Sequence, residues 1–168
     1  MKTLFLLPLT FLFITKQTEK CECLIVPSQG VGNIKIGKST IEDVRKEFGE
    51  KKIEKKWHKA IEVEFFGRYE YFLKYDSVGA FSTFTKHRNK TIIHKLVLNS
   101  DSKCKTVLGN GIGSSYKDVV KELGKPKQDY ILSNNDGSKN MVLIYENMTI
   151  YMNKQDTASN TVSYIKIW

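Results

Sequence analysis

Two ten-residue stretches of the chain share one pattern of apolar and polar positions. Residues 40–49 read TIEDVRKEFG and residues 115–124 read SYKDVVKELG. The apolar positions recur with the period of an amphipathic helix in both stretches. Thr40 and Ser115 are residues that cap a helix N-terminus, an Asp follows three positions later, and a Gly closes each stretch. The pattern therefore predicts one short helix in each stretch.

Segments with the alternation and aromatic content of β-strands follow each predicted helix. After the first they are 61–65, 69–75, 80–85 and 91–98, and after the second they are 129–132, 141–146, 148–153 and 161–168. Short turn signals separate them, which favours antiparallel hairpins. A second short helix is allowed over residues 50–59. The predicted fold class is α+β, with two tandem repeats, 24–100 and 101–168, each a short helix or helix pair followed by a small antiparallel β-meander.

Residues 1–20 have the pattern of a secretory signal peptide. Lys2 precedes the apolar run LFLLPLTFLFI, which is too short to span a bilayer. The alternative is a buried strand or helix, and the cleavage site is not fixed. We expect an exported protein, periplasmic or secreted. Its one route to a membrane would be as a lipoprotein through Cys21, but the residues before Cys21, Thr-Glu-Lys, make a poor lipobox.

The chain is basic, and the basicity comes almost entirely from lysine. The net charge is +9, and loss of residues 1–20 removes three lysines and one glutamate and leaves +7. Three of the 27 basic residues are Arg, the residue that nucleic-acid and phosphate sites favour. We therefore expect no nucleic-acid partner, and a protein partner with an acidic surface is favoured.

Three cysteines allow one disulfide and one spare thiol, or no disulfide. In an exported chain we expect Cys104 to pair with Cys23, or with Cys21 in its place. Closing a loop of about 80 residues would stabilise the fold by about 4 kcal/mol. One residue separates Cys21 from Cys23, so this is no redox CxxC motif. Three scattered cysteines without clustered histidines predict no metal site.

No catalytic motif accompanies the three histidines. His58 and His87 lie in charged segments and are expected to be solvated, whereas His94 lies in a predicted strand. The chain lacks a G-x-S-x-G elbow and an H-E-x-x-H helix. We predict no catalytic residues, no cofactor and no enzymatic activity. A small hydrolase or ligand carrier that uses a cleft between the repeats is the alternative of a different class.

The second helix, with its flanking residues, carries a resemblance to a known group. Residues 113–126, GSSYKDVVKELGKP, are similar to the G-x-[ST]-x-x-[DE]-V-x-x-x-[FL]-G-x-P helix of β-lactamase-inhibitor-like proteins and of the BamE (SmpA/OmlA) outer-membrane lipoprotein domain. Residues 38–49 match except that Lys51 replaces the proline. The resemblance implies a tandem-repeat fold and a non-enzymatic protein that binds another protein.

Aromatic residues and lysines are the best candidates for such binding, because exposed Tyr and Trp are typical of protein interfaces. The predicted partner-binding residues are Trp57, Tyr69, Tyr71, Tyr75, Tyr145, Tyr151, Lys55 and Lys56. Burial of both sheet faces by the opposing repeat is the alternative. We expect a monomer that acts as an inhibitor or immunity-type antagonist. The alternative function is a structural factor in outer-membrane or cell-wall assembly.

Overall fold

One antiparallel sheet of eight strands organises the protein. A computed structural model describes residues 23–58, 67–84, 91–153 and 160–168. The elements in chain order are β1 (Ile25–Val26), β2 (Gly30–Val31), β3 (Ile34–Lys35), α1 (Ile41–Phe48), β4 (Glu54–Trp57), β5 (Tyr69–Tyr75), β6 (Gly79–Phe84), β7 (Lys95–Leu98), α2 (Tyr116–Leu123), β8 (Gln128–Ser133), β9 (Lys139–Tyr145), β10 (Met148–Asn153) and β11 (Thr161–Ile167). The large sheet has the order β4-β5-β6-β7-β11-β10-β9-β8.

The pairing of β7 with β11 joins the strands of the first half of the chain to those of the second half in the middle of this sheet. Leu98 lies opposite Ile165, and Leu96 lies opposite Ile167. All four side chains are buried. The terminal strands of the sheet are therefore β4 at one edge and β8 at the other.

The two helices cover one face of the sheet, which we call the helix face. The ring of Phe48 in α1 stacks on Phe81 of β6, with 5.4 Å between centroids, and Val119 of α2 belongs to the same buried cluster. Side chains alternate between the faces of a strand, so the residues next to Phe81 point the other way. The opposite side, which carries Glu70, Lys95 and Lys166, is called the far face.

Both predicted helices are confirmed, and so are their capping residues. The backbone N–H of Asp43 donates to Thr40 Oγ1 at 3.2 Å, while the Thr40 N–H donates to Asp43 Oδ2 at 2.8 Å. The hydrogen bond from the Thr40 backbone holds the pKa of Asp43 below its ordinary value. Ser115 accepts from the Asp118 N–H in the same way. Gly49 follows α1 with φ +94°, a conformation that glycine adopts without strain.

A small three-stranded sheet, β1-β2-β3, packs beside the large one and is tied to it covalently. Cys23 and Cys104 form a disulfide across 81 positions of sequence, which confirms the predicted bond and settles which cysteine pairs with Cys104. Backbone hydrogen bonds lie next to the disulfide, and in one of them the Ile25 N–H donates to the Lys105 carbonyl. Disulfides persist in oxidising environments, so the bond indicates a compartment other than the cytoplasm.

The predicted fold class was wrong. The described residues are mainly β, with two eight-residue helices. Strands β4 to β11 form one continuous sheet instead of two helix-plus-meander repeats with small sheets of their own. Each meander alone would leave its last strand unpaired at an edge, and pairing β7 with β11 removes both exposed edges at once. The repeated sequence pattern specifies the helices, whereas this strand pairing depends on contacts distant in sequence.

The elements before and after α1 differ from those predicted. No strand was predicted before α1, but this segment contains the three strands of the small sheet. Residues 50–59 were allowed a helix, but Glu54–Trp57 form β4, because Lys55 and Trp57 pair with the aromatic strand β5. The cross-strand contacts of these side chains outweigh the helical spacing of the apolar positions.

Some predictions fall on residues outside the described ranges. The signal peptide, Cys21, the strand over 61–65 and His87 are among them. The division of the chain at residue 100 stays a prediction. Within the described ranges, neither helix is long and apolar enough to cross a membrane.

Candidate functional site

Four of the predicted partner-binding residues lie together at the β4 edge of the sheet. Lys55 lies opposite Tyr71 and Trp57 opposite Tyr69 in the β4–β5 register, so all four side chains share the helix face. The Trp57 side chain is 60% exposed. We call Lys55, Trp57, Tyr69 and Tyr71 the β4–β5 patch.

A cation–π contact fixes the lysine of this patch. Lys55 Nζ lies 3.7 Å from the centroid of the Tyr69 ring and 5.9 Å from that of Tyr71. Such contacts stabilise by about 0.5–1 kcal/mol at exposed sites. The ammonium group therefore has a preferred position beside two aromatic rings, which lowers the entropy that a partner must remove on binding.

Tyr75 and Tyr145 instead hold the helix ends to the sheet. Tyr75 Oη donates to the Gly49 carbonyl at 2.6 Å, and Tyr145 Oη donates to the Gly124 carbonyl at 3.1 Å. Burial raises the pKa of both phenols. Tyr75 is only 6% exposed and contacts Phe48, so its burial argues against the predicted role as a partner contact.

Lys56 and Tyr151 are the two predicted residues on the far face. Lys56 lies opposite Glu70 at the β4 edge and is exposed. Tyr151 lies on β10, where its ring packs edge-on against Tyr164 with 5.4 Å between centroids. The sheet therefore separates both residues from the β4–β5 patch.

A lysine surrounded by three aromatic rings occupies this part of the far face. Lys166 Nζ lies 5.2 Å from the ring centroid of Tyr151 and 5.6 Å from those of Tyr164 and Trp168. Burial lowers the pKa of Lys166 and raises that of Tyr164 to about 12. The sequence prediction did not include Lys166. The alternation in Tyr164-Ile-Lys-Ile-Trp168 nevertheless places Tyr164, Lys166 and Trp168 on one face of the strand.

A buried ionic network lies on the far face next to β4. Glu70 Oε1 is 2.5 Å from Lys95 Nζ, and Glu70 Oε2 is 3.4 Å from His58 Nε2. Burial alone would raise the pKa of Glu70, but hydrogen bonds from Lys95 and Ser82 hold it below its ordinary value. The expectation that His58 is solvated was wrong, because the residue is 3% exposed.

Histidine, cysteine and carboxylate side chains do not gather into a metal-binding group of three or more anywhere in the four described ranges. The carboxylate of Glu70 is paired with Lys95 and is buried beneath the surface of the far face. At the β4 edge, the exposed side chains of the β4–β5 patch are the aromatic Trp57 and the cationic Lys55.

Comparison with known proteins finds little similarity. No family model matches the chain, and no curated protein matches it. Among solved structures, the chain is similar to a DUF4309 family protein, YjgB, from Bacillus subtilis, with 14% identity, 82% of each chain covered and a TM-score of 0.39.

The resemblance to β-lactamase-inhibitor-like and BamE-like proteins is overturned. The described residues form one eight-stranded sheet and one small three-stranded sheet with two short helices, and they contain no repeated helix-plus-meander unit. A capped helix with a closing glycine is a general device for ending helices, so residues 113–126 specified local structure and no family.

Proposed function

We propose that this protein is an exported, non-enzymatic module that binds another protein through the β4–β5 patch. The observation that carries the proposal is the 60% exposure of Trp57 next to Lys55, whose ammonium group lies 3.7 Å from the Tyr69 ring. An exposed tryptophan beside ordered tyrosines is typical of the residues that dominate binding energy at protein interfaces.

The charge around the patch favours an acidic partner. Lys51, Lys52, Lys55 and Lys56 lie within six positions of sequence, and all four are exposed. Surface lysines speed the encounter with an acidic protein more than they strengthen the final complex. We therefore expect association to slow at high salt, while dissociation changes little.

An antagonist of an enzyme or toxin is the proposed role of this binding. The disulfide supports a location outside the cytoplasm. Among the compartments outside the cytoplasm, we propose the periplasm or the extracellular space. A compact, disulfide-linked sheet supplies a rigid surface, and rigidity reduces the entropic cost of forming a stoichiometric complex.

Site-specific photo-crosslinking in the producing cell tests this function. A photoreactive phenylalanine analogue replaces Trp57 in one variant and Lys56 in the control, because these neighbours are both exposed and point to opposite faces. We expect one protein adduct from position 57 and none from position 56. Equal adducts from both positions, or none from either, would contradict the proposal.

The captured partner then serves in a binding measurement. We expect Trp57→Ala to weaken its affinity by at least about 30-fold, which corresponds to about 2 kcal/mol for a central interface residue. Lys55→Ala should weaken it by a smaller factor, and Lys56→Ala should leave it unchanged. An adduct with an envelope-assembly protein instead of a soluble enzyme or toxin would replace the antagonist role with the assembly role.

A further inference from the structure

The outer edge of β8 is unusually open for a strand that ends a sheet. β8 pairs with β9 on one side along all six residues, and no other strand of the described ranges pairs with its second side. All six residues are exposed, and Tyr130, Ile131 and Leu132 are 48%, 49% and 41% exposed. An exposed apolar edge of this length is a template for pairing with another strand.

Three of the devices that block such pairing are absent within β8. The strand contains no lysine and no proline, which instead precede it at Lys127 and Pro126, and its register with β9 runs without a bulge from Gln128 to Ser133. Its one charged residue, Asp129, lies near its beginning. The backbone N–H and C=O groups on the outer side are therefore available to an incoming strand.

We propose that β8 pairs antiparallel with β8 of a second copy of this chain, around a two-fold axis at Ile131. In an antiparallel pair, opposite residues lie on the same face of the sheet. The axis then brings the two Ile131 side chains together and places Tyr130 opposite the partner's Leu132. Asp129 lies opposite the partner's Ser133, so no like charges meet.

Other registers of the same pair are poorer. Moving the axis to Tyr130 would set Asp129 against the partner's Ile131, and moving it to Leu132 would set Ile131 against the partner's Ser133. The register centred on Ile131 matches all three apolar residues with apolar residues. The polarity of β8 is symmetric about Ile131, with polar residues at both ends and apolar residues between them. This symmetry favours a second copy of the strand over an unrelated strand.

The dimer should be weak and should present two binding surfaces. One six-residue strand per copy buries much less than the roughly 1,200 Å² of a stable interface, so we expect a dissociation constant on the order of 100 μM. The joined sheet would have sixteen strands, with β4 at each end. The inference does not rest on the proposed function, since β8 and β4 are opposite edges of the sheet.

Sedimentation velocity on the full chain tests the pairing, from about 1 μM to about 1 mM. We expect a shift from monomer to dimer across this range. Ile131→Lys, which sets two ammonium groups face to face, should weaken association at least tenfold. Val107→Lys is the matched control, because Val107 is also exposed and apolar but lies in a turn outside the sheet. A chain that stays monomeric, or equal effects of both substitutions, would overturn the inference.

Cysteine cross-linking tests the register. In a background with Cys21→Ser, Ile131→Cys should form an intermolecular disulfide under mild oxidation, because position 131 faces itself across the axis. Tyr130→Cys should form much less, since its neighbour in the partner is Leu132. Preferential cross-linking at position 130, or none at position 131 in a sample shown to be dimeric, would overturn the proposed register.

Discussion

The strands β4 and β8 hold equivalent places at the two edges of one sheet, yet their side chains differ in kind. Every residue of both strands is exposed. β4 has two lysines in four residues, and Lys55 is held against the ring of Tyr69. β8 has three consecutive apolar residues and no lysine. A position in the sheet therefore does not decide what an edge binds, because lysines oppose pairing of β4 with a like strand while β8 invites it.

The strands next to these two edges, β5 and β9, also differ in whether their far-face residues are charged or apolar. Beside β4, the far face of β5 carries Glu70, which is buried in an ionic network with Lys95. Beside β8, the far face of β9 carries Val142, which is fully buried and lies opposite Tyr130. The β4 edge thus depends on ionised groups and the β8 edge on apolar packing, and this difference can be tested by mutation.

The largest effect should come from the disulfide, on which both edges depend equally. Cys104→Ser should lower the free energy of unfolding by about 4 kcal/mol, because the bond closes a loop of roughly 80 residues. Urea unfolding measures the loss, and Cys21→Ser should cause none. A loss under about 1 kcal/mol would show that the unfolded chain gains little freedom when the bond is absent.

The pairing of β7 with β11 should make the β4 edge and the β8 edge of the sheet unfold together. Leu96→Ala leaves a cavity in a fully buried site, and we expect a loss of about 3 kcal/mol. Single-tryptophan chains that keep Trp57 or Trp168 report on different regions, and both should show the same midpoint before and after the substitution. Separate midpoints would mean that the sheet does not unfold as one unit.

Acid should weaken the β4 side through Glu70. Its folded pKa is lowered, so its carboxylate stabilises the fold above the unfolded value of about 4.3, and this contribution is lost as pH falls through the folded pKa. Glu70→Gln should therefore cost about 2 kcal/mol at pH 7 and progressively less in acid.

The control for this prediction is Asp129→Asn at the β8 edge, where the carboxylate is exposed. Urea unfolding at a series of pH values should give the control the same profile as the unmodified chain. A constant difference between Glu70→Gln and the unmodified chain at every pH would show that the carboxylate charge is not what stabilises β5.

The smallest effect should come from the tyrosines that hold the helix ends. Tyr75→Phe removes a partly buried hydrogen bond to the Gly49 carbonyl and should lower the free energy of unfolding by about 1 kcal/mol. Tyr145→Phe should cost about half as much, because its hydrogen bond to Gly124 is longer and more exposed. Thermal unfolding of the two variants gives the ranking, and the reverse order would contradict it.

The sequence was sufficient for features that neighbouring residues determine. Thr40 and Gly49 begin and end α1 as predicted, because their hydrogen bonds lie within one helical turn. Most strand positions followed from alternation. The β7–β11 pairing was not predictable in this way, because Leu98 and Ile165 are distant in sequence and their apolar character fits many registers.

The candidate site was predicted in part for the same reason. Lys55, Trp57, Tyr69 and Tyr71 were chosen as aromatic and cationic residues, and the register of β4 with β5 brings them together. Composition could not separate them from Tyr75, whose hydroxyl is directed to Gly49 by the position of α1. Nor could it show the open edge at Ile131, since strand order decides which strand lies last in the sheet.

The contrast between the edges is tested most directly by measuring two properties of two variants in parallel. The variants are Trp57→Ala and Ile131→Lys, and the properties are affinity for the partner cross-linked at position 57 and self-association in the ultracentrifuge. We predict that Trp57→Ala binds the partner at least about 30-fold more weakly and still dimerises, whereas Ile131→Lys still binds the partner and self-associates at least about tenfold more weakly. Loss of both properties in either folded variant would contradict the assignment of separate partners to the two edges.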